Sequence, residues 1–332
     1  MAPTLRQIAK SLNVATSTVS RALSQEAGVG EERAAQIRAF AQKLGYRPRP
    51  MRRASSRAVA LVTVTPDGTA SDAPYQSQIL SSVYETVGAH GWHLLHEFVR
   101  RDSGELPAVV RENRADGVLF SGLPSPALCR EMRRIGVPAV AMNDLASRTG
   151  LPSVMADGAA GTAEIVASLA AMGHKRIALA ATSAKFPTVA ARVEAFRKAA
   201  KEAALDAFVV VSGGTTIQQG QISTRQIVAR KPRPTAIVYS TDRLAVGGLI
   251  ELARLGLSVP GDVSVVGHDN TGLGRDTDPQ LTCVELNQKE MVATAFSLLL
   301  AQIEGGASAE PVQKIVAPSI AWRASSAGAP LD

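Results

Sequence analysis

VATSTVSRAL, residues 14–23, is the stretch that decides how the N-terminal part of the chain folds and what it does. Its apolar residues recur at helical spacing, which predicts an amphipathic helix of about two turns. One side of this helix is apolar and can pack inward; it carries Val19, Ala22 and Leu23. The other side offers hydrogen-bonding side chains from Thr16, Ser17 and Arg21. Such a helix is either an ordinary surface helix or one that reads a partner.

The neighbouring sequence favours a helix-turn-helix unit. Thr4 followed by Gln7 has the spacing of a capping box and opens a helix over residues 5–12. Asn13-Val14 predicts a tight turn, and a third helix is expected from about Glu31 to Leu44, closed by Gly45. Two short helices joined by a tight turn, with a third packed beneath them, are typical of DNA-binding domains.

The basic residues are concentrated in the same segment. The chain has 332 residues and a formal net charge of +7. Residues 1–57 contain eleven Lys or Arg against three Asp or Glu, so the remainder of the chain is close to neutral. Within this segment, RPRPMRRASSR (residues 47–57) has two prolines and five arginines and almost nothing apolar to bury. It is interpreted as a basic linker.

From residue 57 onward, short β-rich runs alternate with amphipathic helical stretches. The predicted strands are 58–64, 92–98, 117–120, 138–142, 176–181, 208–211, 235–239 and 263–267. The predicted helices are 76–89, 126–135, 159–172, 189–203, 244–255 and 289–303. This alternation predicts an α/β fold with parallel sheets covered by helices on both faces, and two successive series indicate two similar lobes.

Other classes of protein have little support in the sequence. Cys129 and Cys283 are too few for a disulfide framework, and they are expected to be free thiols in a reducing compartment. No run reaches membrane-spanning length and no signal peptide is evident, which predicts a cytoplasmic protein without a membrane partner. The five histidines form no HExxH or Cys-supported ligand pattern, and no phosphate loop or GxSxG elbow is present. The sequence therefore predicts neither an enzyme, nor a metal site, nor a cofactor.

Four segments resemble the lactose-repressor (LacI/GalR) family. They are TLRQIAKSLNVATSTVSRAL (4–23), LGYRP (44–48), MGHKRIALA (172–180) and DVSVVGHDN (262–270). The resemblance runs from Thr4 to about Arg323. It implies a helix-turn-helix headpiece at 1–46, a basic hinge or linker at 47–57, a two-lobed domain similar to periplasmic sugar-binding proteins at 58–324, and a tail at 325–332. Lobe 1 is expected at about 58–155 and 287–314, and lobe 2 at about 156–286 and 315–324.

The resemblance implies which headpiece residues contact DNA. Thr16, Ser17 and Arg21 match positions that face base edges, while Thr18 and Ser20 match positions that reach phosphates. Arginine can bond guanine bidentately in the major groove, and hydroxyl side chains can contact bases or thymine methyl groups. The family usually has Ser at position 15, where this chain has Ala15. If Thr16 caps the helix instead, it is removed from base reading.

The linker leaves two alternatives. In the family this stretch folds into a hinge helix on DNA and inserts a leucine into the minor groove. The matching position here is Ser55, and Met51 is the large apolar residue nearby. Either the hinge folds and inserts Met51, or the segment is a flexible basic tether. In both cases arginines including Arg52 and Arg53 would attract phosphates.

The resemblance also implies an effector site between the lobes. The matching positions are Tyr75, Gln76, Asn143, Asp157, Arg192, Thr241 and Asp269. Arg192 offers a fork of donors and Asp269 an acceptor for adjacent hydroxyls. Asp157 could serve equally as a helix N-cap. Positions where family members stack a sugar ring on an aromatic side chain hold Thr215 and Gln288, and His268 replaces a frequent Tyr.

The predicted function is a transcriptional regulator, expected to be a repressor. As a homodimer it would bind two-fold symmetric, double-stranded operator DNA. A small molecule between the lobes, expected to be a sugar or sugar derivative, would change its DNA affinity as an inducer or a corepressor. The alternative is a sugar-binding receptor or an enzyme of similar fold, with a basic N-terminal extension that has no role in DNA binding.

Overall fold

The computed structural model describes residues 5–23, 28–44, 56–69, 74–183, 186–305 and 311–330. The chain divides into two compact units, Met1–Ser55 and Ser56–Asp332. The apolar cluster of the first unit is separate from the three clusters of the second. Each unit is therefore a folding body with its own core.

The first unit contains three helices, as the sequence predicts. They are α1 (Leu5–Leu12), α2 (Thr16–Leu23) and α3 (Glu31–Lys43). Their buried core consists of Ile8, Ala9, Val19, Ala22, Ala34, Ile37 and Ala41. The predicted apolar side of α2 is confirmed, because Val19 and Ala22 are buried and Leu23 packs partly buried against the same cluster.

The turn between α1 and α2 explains the helix-turn-helix geometry. Asn13 has a left-handed backbone with φ +50°, a conformation that Asn tolerates better than most residues. The N–H of Val14 donates to the carbonyl of Ala9 at 3.0 Å, and Nη2 of Arg33 donates to the carbonyl of Leu12 at 3.0 Å. Together these bonds satisfy carbonyls that the end of α1 leaves unpaired. The predicted cap Thr4 and the predicted stop Gly45 lie outside the described residues.

The second unit is built on two six-stranded sheets. Sheet A contains β1 (Ala58–Thr65), β2 (His93–Arg100), β3 (Gly117–Ser121), β4 (Ala139–Met142), β5 (Ser153–Ala156) and β11 (Gln313–Val316), in the order β11-β5-β4-β3-β1-β2. Sheet B contains β6 (Arg176–Ala181), β7 (Asp206–Val211), β8 (Ala236–Tyr239), β9 (Ser264–His268), β10 (Thr282–Glu285) and β12 (Ser319–Ala321), in the order β12-β10-β9-β8-β6-β7. All pairings are parallel except the one between β10 and β12. Lobe 1 is the lobe on sheet A and lobe 2 the lobe on sheet B.

Helices connect the strands of each lobe. Lobe 1 has α4 (Pro74–Ala89), α5 (Ala108–Arg111), α6 (Pro126–Ile135), α7 (Ala146–Thr149) and α13 (Gln288–Ile303). Lobe 2 has α8 (Gly158–Ala171), α9 (Pro187–Glu202), α10 (Ile217–Val228), α11 (Asp242–Arg254) and α12 (Gly272–Arg275). Strand β1 shows why both faces are covered: Val59 and Leu61 belong to one buried cluster, and Ala60 and Val62 to another. A continuous apolar run is the expected pattern for such a doubly covered strand.

All eight predicted strands and all six predicted long helices are present, with ends within two residues of the prediction. The pattern missed α10, the short helices α5, α7 and α12, and the short strands β5, β10, β11 and β12. The α/β class with two lobes is confirmed, and β12 is the antiparallel exception to the predicted parallel pairing.

Three short connections carry the chain between the lobes. They follow β5, β10 and β11, and contain Asp157, Asn287 and Ala317. The N–H of Asp157 donates to the carbonyl of Val316 at 2.9 Å, and Nδ2 of Asn287 donates to the carbonyl of Ala317 at 2.7 Å. The three connections are thus hydrogen-bonded to one another.

The segment after β12 is held on lobe 2. The N–H of Val265 donates to the carbonyl of Ser325 at 2.8 Å, and the carbonyl of Ala327 lies 3.0 Å from Nε2 of the buried His174. The N–H of Ala329 donates to the carbonyl of Met172 at 2.9 Å. Most of the predicted tail therefore follows the surface of lobe 2.

Candidate functional site

Helix α2 separates its buried and accessible residues in the way a DNA-reading helix requires. Thr16, Ser17 and Arg21 are exposed, and Thr18 and Ser20 are half-buried. Because Val19 and Ala22 anchor the opposite side in the core, the exposed side chains have a fixed direction. The five predicted DNA-contacting residues of α2 therefore lie outside its buried core side.

The hydrogen bonds at the N-terminus of α2 show whether Ala15 or Thr16 is the N-cap residue. The carbonyl of Ala15 accepts bonds from the N–H groups of Thr18 at 3.0 Å and Val19 at 3.2 Å. Ala15 thus occupies the N-cap position, and Thr16 is the first residue within the helix. The alternative in which Thr16 caps the helix is wrong, and its exposed side chain is available to a partner.

The predicted hinge contacts Met51, Arg52 and Arg53 lie outside the described residues, as does Ser55. The folded hinge and the flexible tether both stay predictions.

On lobe 1, two predicted effector residues come together. Tyr75 lies in the first turn of α4, and Asn143 follows β4 with a left-handed backbone of φ +57°. Nδ2 of Asn143 donates to the hydroxyl of Tyr75, and its Oδ1 accepts from the N–H of Ala156 at 3.3 Å. The second bond fixes the amide next to the first connection between the lobes.

On lobe 2, Arg192 and Asp269 form a buried pair. Nη1 of Arg192 donates to the carbonyl of Ser240 at 2.9 Å, and Nη2 lies 3.6 Å from Oδ1 of Asp269. Both residues are at least nine-tenths buried. Asp269 follows β9 with φ +96°. This backbone conformation is rare outside glycine and, at a candidate site, suggests a functional constraint.

Tyr75 of lobe 1 lies within electrostatic range of the Arg192–Asp269 pair of lobe 2. Burial raises the pKa of the Tyr75 hydroxyl, the carboxylate of Asp269 raises it further, and the charge of Arg192 opposes the shift. A residue of lobe 1 is therefore electrostatically coupled to a charged pair of lobe 2. The structure thus brings Tyr75, Asn143, Arg192 and Asp269 together, and we call these four residues the interlobe cluster.

Burial also shifts the pKa values of two neighbouring residues of lobe 2, Asp269 and His268. It raises the pKa of Asp269 to about 7, although Arg192 acts in the opposite direction. His268 lies 3.4 Å from Asp269 (Nδ1 to Oδ1) and 3.4 Å from the carbonyl of Gly158 through Nε2. Burial lowers the pKa of His268 well below its ordinary value, and the charge of Arg192 lowers it further. The neutral imidazole is therefore the favoured form beside the cluster.

The other three predicted effector residues use their side chains in local bonds. Oε1 of Gln76 accepts from the hydroxyl of Ser121 at 3.0 Å. Asp157 caps α8 by accepting from the N–H of Ala160 at 2.9 Å, and Thr241 caps α11 by accepting from the N–H of Leu244 at 3.3 Å. Of the two interpretations of Asp157, the N-cap is the one this structure displays.

Sequence reasoning missed Gly158, and it matched Gln288 and Thr215 only to positions of stacking aromatics. A Cβ on Gly158 would lie 2.7 Å from Nε of Arg192 and 3.1 Å from Cε1 of His268, so this glycine makes room for the arginine. Gln288 is 2% exposed, and neither polar atom of its amide has a partner. Thr215, the other position matched to a stacking aromatic, is exposed. No local sequence signal identifies Gly158, because its neighbours at the site are distant in sequence.

A second buried acid lies behind the cluster. Asp242 begins α11 and accepts from the N–H of Thr271 at 2.6 Å, the hydroxyl of Thr271 at 2.9 Å and the thiol of Cys283 at 3.1 Å. Burial raises the pKa of Asp242 to about 7, and Asp269 contributes to the rise. Cys283 and the second cysteine, Cys129, are both buried and free, as expected.

The described ranges contain neither a metal-ligand cluster nor a membrane-spanning helix. No group of three or more His, Cys, Asp or Glu side chains among these residues could hold a metal ion. In the same part of the chain, no helix combines the length and apolar character needed to cross a membrane.

Comparisons with known proteins place both units. Residues 4–49 match the family model of bacterial regulatory proteins, lacI family, and residues 166–326 match that of a periplasmic binding protein-like domain. The chain is 30% identical over 313 residues to the HTH-type transcriptional repressor CytR of Escherichia coli strain K12, with 92% of this chain and 91% of the repressor covered.

Solved structures give the same result for the fold. A LacI transcriptional regulator from a Rhodococcus species is 27% identical with a TM-score of 0.72, and the match covers 82% of this chain and 100% of that one. The lac repressor dimer bound to operator and the anti-inducer ONPF has a TM-score of 0.70 at 22% identity, with coverage of 98% and 99%. The second likeness shows the fold alone.

Proposed function

Because this chain belongs to the lacI family of bacterial regulatory proteins and is a DNA-binding transcriptional repressor, we propose that a sugar-like molecule bound between its lobes controls its affinity for operator DNA. The observation that carries this proposal is the interlobe cluster. Its hydroxyl, amide, guanidinium and carboxyl groups come from both lobes and are suited to a ligand with several hydroxyl groups.

The proposed DNA contacts follow from the exposed face of α2. Thr16, Ser17 and Arg21 read base edges in the major groove, and Thr18 and Ser20 contact phosphates. Met51, Arg52 and Arg53 contribute from the linker. Because arginines neutralise phosphates and release counterions, binding to DNA falls steeply as the salt concentration rises.

The proposed effector contacts are Tyr75, Gln76, Asn143, Asp157, Arg192, Thr241 and Asp269. A ligand that binds one arrangement of the lobes more tightly than another shifts the population of the two arrangements. In a dimer, that shift changes the free energy of placing two headpieces on one operator. The sign of the effect decides between an inducer and a corepressor.

We propose a homodimer, and the outer faces of α10 and α11 support it. Packed against each other, these helices carry the exposed apolar side chains of Ile222 and Ile250, and Leu255 follows at the end of α11. Tyr84, on α4, is 70% exposed. Large apolar side chains in water favour an interface. A two-fold dimer would present two recognition helices to a palindromic operator.

Selection of genomic fragments by the purified protein at near-physiological salt tests the proposal. The selection is repeated with a panel of sugars and sugar acids. We expect enrichment of a palindrome whose recovery changes with one compound, which also gives the sign of control. Salt-sensitive recovery of all fragments, without a shared site, would instead favour a sugar-binding receptor or an enzyme with a basic extension.

A further inference from the structure

Arg101 is a cationic residue of the cleft that sequence reasoning did not assign. It directly follows β2 of lobe 1, and its N–H donates to the carbonyl of Thr65, the last residue of β1, at 2.8 Å. Its guanidinium lies over the ring of Phe186, 4.8 Å from the centroid. Phe186 belongs to lobe 2 and immediately precedes α9, the helix that carries Arg192. Arg101 therefore reaches across the carboxyl edge of sheet A to the opposite lobe.

The guanidinium of Arg101 has no counter-charge among the described residues. Within the part of the chain that the structure describes, no carboxylate forms an ion pair with it, and its Nε is buried without a hydrogen-bond acceptor. Stacking on Phe186 uses the flat face of the group and leaves the N–H donors, which lie in the plane, free for an acceptor. A buried donor without a partner is unfavourable, so the arrangement is suited to a ligand that supplies one.

The neighbouring arginine shows the contrast. Nε and Nη2 of Arg100 donate to the carboxylate of Asp102 at 3.0 and 2.7 Å, and this pair is exposed. The two adjacent arginines therefore have different environments. Arg100 is satisfied by its own surface partner, whereas no acceptor for Nε of Arg101 lies among the residues that the structure describes.

The other charges of the site are already compensated. Arg192 bonds the carbonyl of Ser240 and lies beside Asp269, and the carboxylate of Asp157 caps the N-terminus of α8. The positive end of that helix offsets the charge of Asp157. Among the described residues of the cleft, Arg101 thus leaves a positive charge without a carboxylate partner.

We propose that the effector carries an anionic group, a carboxylate or a phosphate, which the Arg101 guanidinium binds while its hydroxyls contact the interlobe cluster. This inference rests on the proposed effector site between the lobes. A neutral hydroxyl can accept one bond from Arg101 but leaves its charge unbalanced in a closed cleft. An anion with two oxygens matches the fork of donors and balances the charge.

Matched sets of ligands test the inference. Each set contains a neutral sugar, its acid and its phosphate: glucose, gluconate, glucuronate and glucose 6-phosphate; galactose, galacturonate and galactose 1-phosphate; ribose, ribonate and ribose 5-phosphate. Binding to the full-length protein is followed by the shift in melting temperature and by calorimetry. We expect an anionic member to bind at least about tenfold more tightly than its neutral counterpart. The acid and phosphate arms identify which anion is recognised.

Variants assign the preference to Arg101. We expect Arg101→Ala to weaken binding of the anionic member roughly 10- to 100-fold, the range for loss of a charged hydrogen bond, and to leave the neutral member nearly unchanged. Arg101→Lys keeps the charge without the fork and should lie between the two. Arg100→Ala is the matched control and should bind like the parent protein.

The salt dependence of ligand binding by the parent protein tests the inference without any variant that could misfold. The affinity for the anionic member should fall as NaCl is raised, whereas the affinity for its neutral counterpart should not. Equal binding of neutral and anionic members, or an Arg101→Ala protein that is folded and keeps the anion preference, would overturn the inference and leave the sugar effector standing. If no member of any set binds, both the sugar effector and the anionic group are rejected.

Discussion

Asp242 is a buried acid with a predictable effect of pH on stability. Burial raises its folded-state pKa from 3.8 to about 7, so between these values the folded protein holds a proton that the unfolded chain has lost. Stability from this group is therefore fully present below about pH 4 and is lost as the pH rises through about 7. Asp269 has a pKa raised to about 7 and acts in the same direction.

We expect Asp242→Asn to reduce this pH dependence. The variant keeps only one of the two acceptor oxygens that Thr271 and Cys283 use and places an NH2 donor at the other, which costs stability at every pH. The free energy of unfolding of the variant should lie below that of the parent protein, and the difference should decrease by roughly 1 kcal/mol per pH unit between pH 5 and pH 7, because only the parent protein loses stability as Asp242 titrates. Urea unfolding at several pH values measures the difference.

Asp262→Asn is the control for this titration. Bonds from the hydroxyl and N–H of Ser258 lower the pKa of Asp262, so it stays ionised in both states from pH 5 to pH 7. Its difference from the parent protein should be constant over that range. A constant difference for Asp242→Asn as well would show that Asp242 is already ionised in the folded protein.

Arg21 gives the second prediction for single residues. If it bonds a guanine through two donors, Arg21→Ala should weaken operator binding by roughly 1–3 kcal/mol per half-site and relax the preference at one base position. Arg21→Lys retains the positive charge without the planar fork, and should lose the base preference while keeping most non-specific affinity. Binding to operators randomised at single positions distinguishes the effects. A uniform loss over all sequences in the alanine variant would identify Arg21 as a phosphate contact.

The sequence pattern predicted the site residues that a single helix or strand is enough to place. The helical period of VATSTVSRAL predicted that Arg21 is exposed and Val19 buried, and Asp269 was expected just beyond a strand. The role of Gly158 depends on Arg192 and His268, and that of Arg101 on Phe186. These contacts join residues far apart in the sequence, and no period or spacing encodes them.

Helices α10 and α11 pack closely against each other because each has a glycine at the contact. A Cβ on Gly220 would lie 2.2 Å from the carbonyl oxygen of Leu244, and one on Gly247 would lie 2.1 Å from that of Ile217. The two backbones are therefore in direct contact. Gly220 also lies inside a helix rich in glutamine, without a clear apolar stripe, which is why the sequence pattern did not predict α10.

Alanine at either contact should destabilise lobe 2. We expect Gly220→Ala and Gly247→Ala each to lower the free energy of unfolding by roughly 1–3 kcal/mol, because the helices must separate. Gly88→Ala in α4 is the matched control: nothing lies within 4 Å of the added methyl group, and alanine favours a helix. It should be neutral or raise stability by up to about 1 kcal/mol. Chemical denaturation compares the three. Equal stability of all three variants would contradict the close contact.

The missed strands have a different explanation. Strands β5, β10 and β11 have four residues each and β12 has three, and their sequences are SVMA, TCVE, QKIV and SIA. They lack the continuous apolar run that identified the equally short strands β4 (AVAM) and β8 (AIVY). Strand β11 has three exposed residues out of four. These strands form because neighbours already in the sheet offer unpaired backbone groups, so their position is determined by the assembled sheet.

For the whole molecule, the proposed dimer predicts sensitivity to charge on α10 and α11. We expect Ile250→Glu or Leu255→Glu to raise the dimer dissociation constant at least about tenfold, because a carboxylate would be buried at the interface. Analytical ultracentrifugation over a concentration series measures this constant. Weaker operator binding should accompany it, since a monomer contacts one half-site.

Ile315→Glu provides the matched control for the dimer. Ile315 is 64% exposed but lies on the edge strand β11, away from the helix pair. Its substitution should leave the association unchanged. If it dissociates the protein as strongly as the two helix variants, the interface lies elsewhere.

The three bonded connections between the lobes also have a mechanical consequence. Two bodies joined by a single link can bend, twist and slide independently. We expect neighbouring links that are tied together through Asp157 and Val316, and through Asn287 and Ala317, to resist twisting and sliding more than bending. The expected motion is a rocking of the lobes about the line of the links. A small ligand that binds between the lobes would therefore move them mainly by this one rotation.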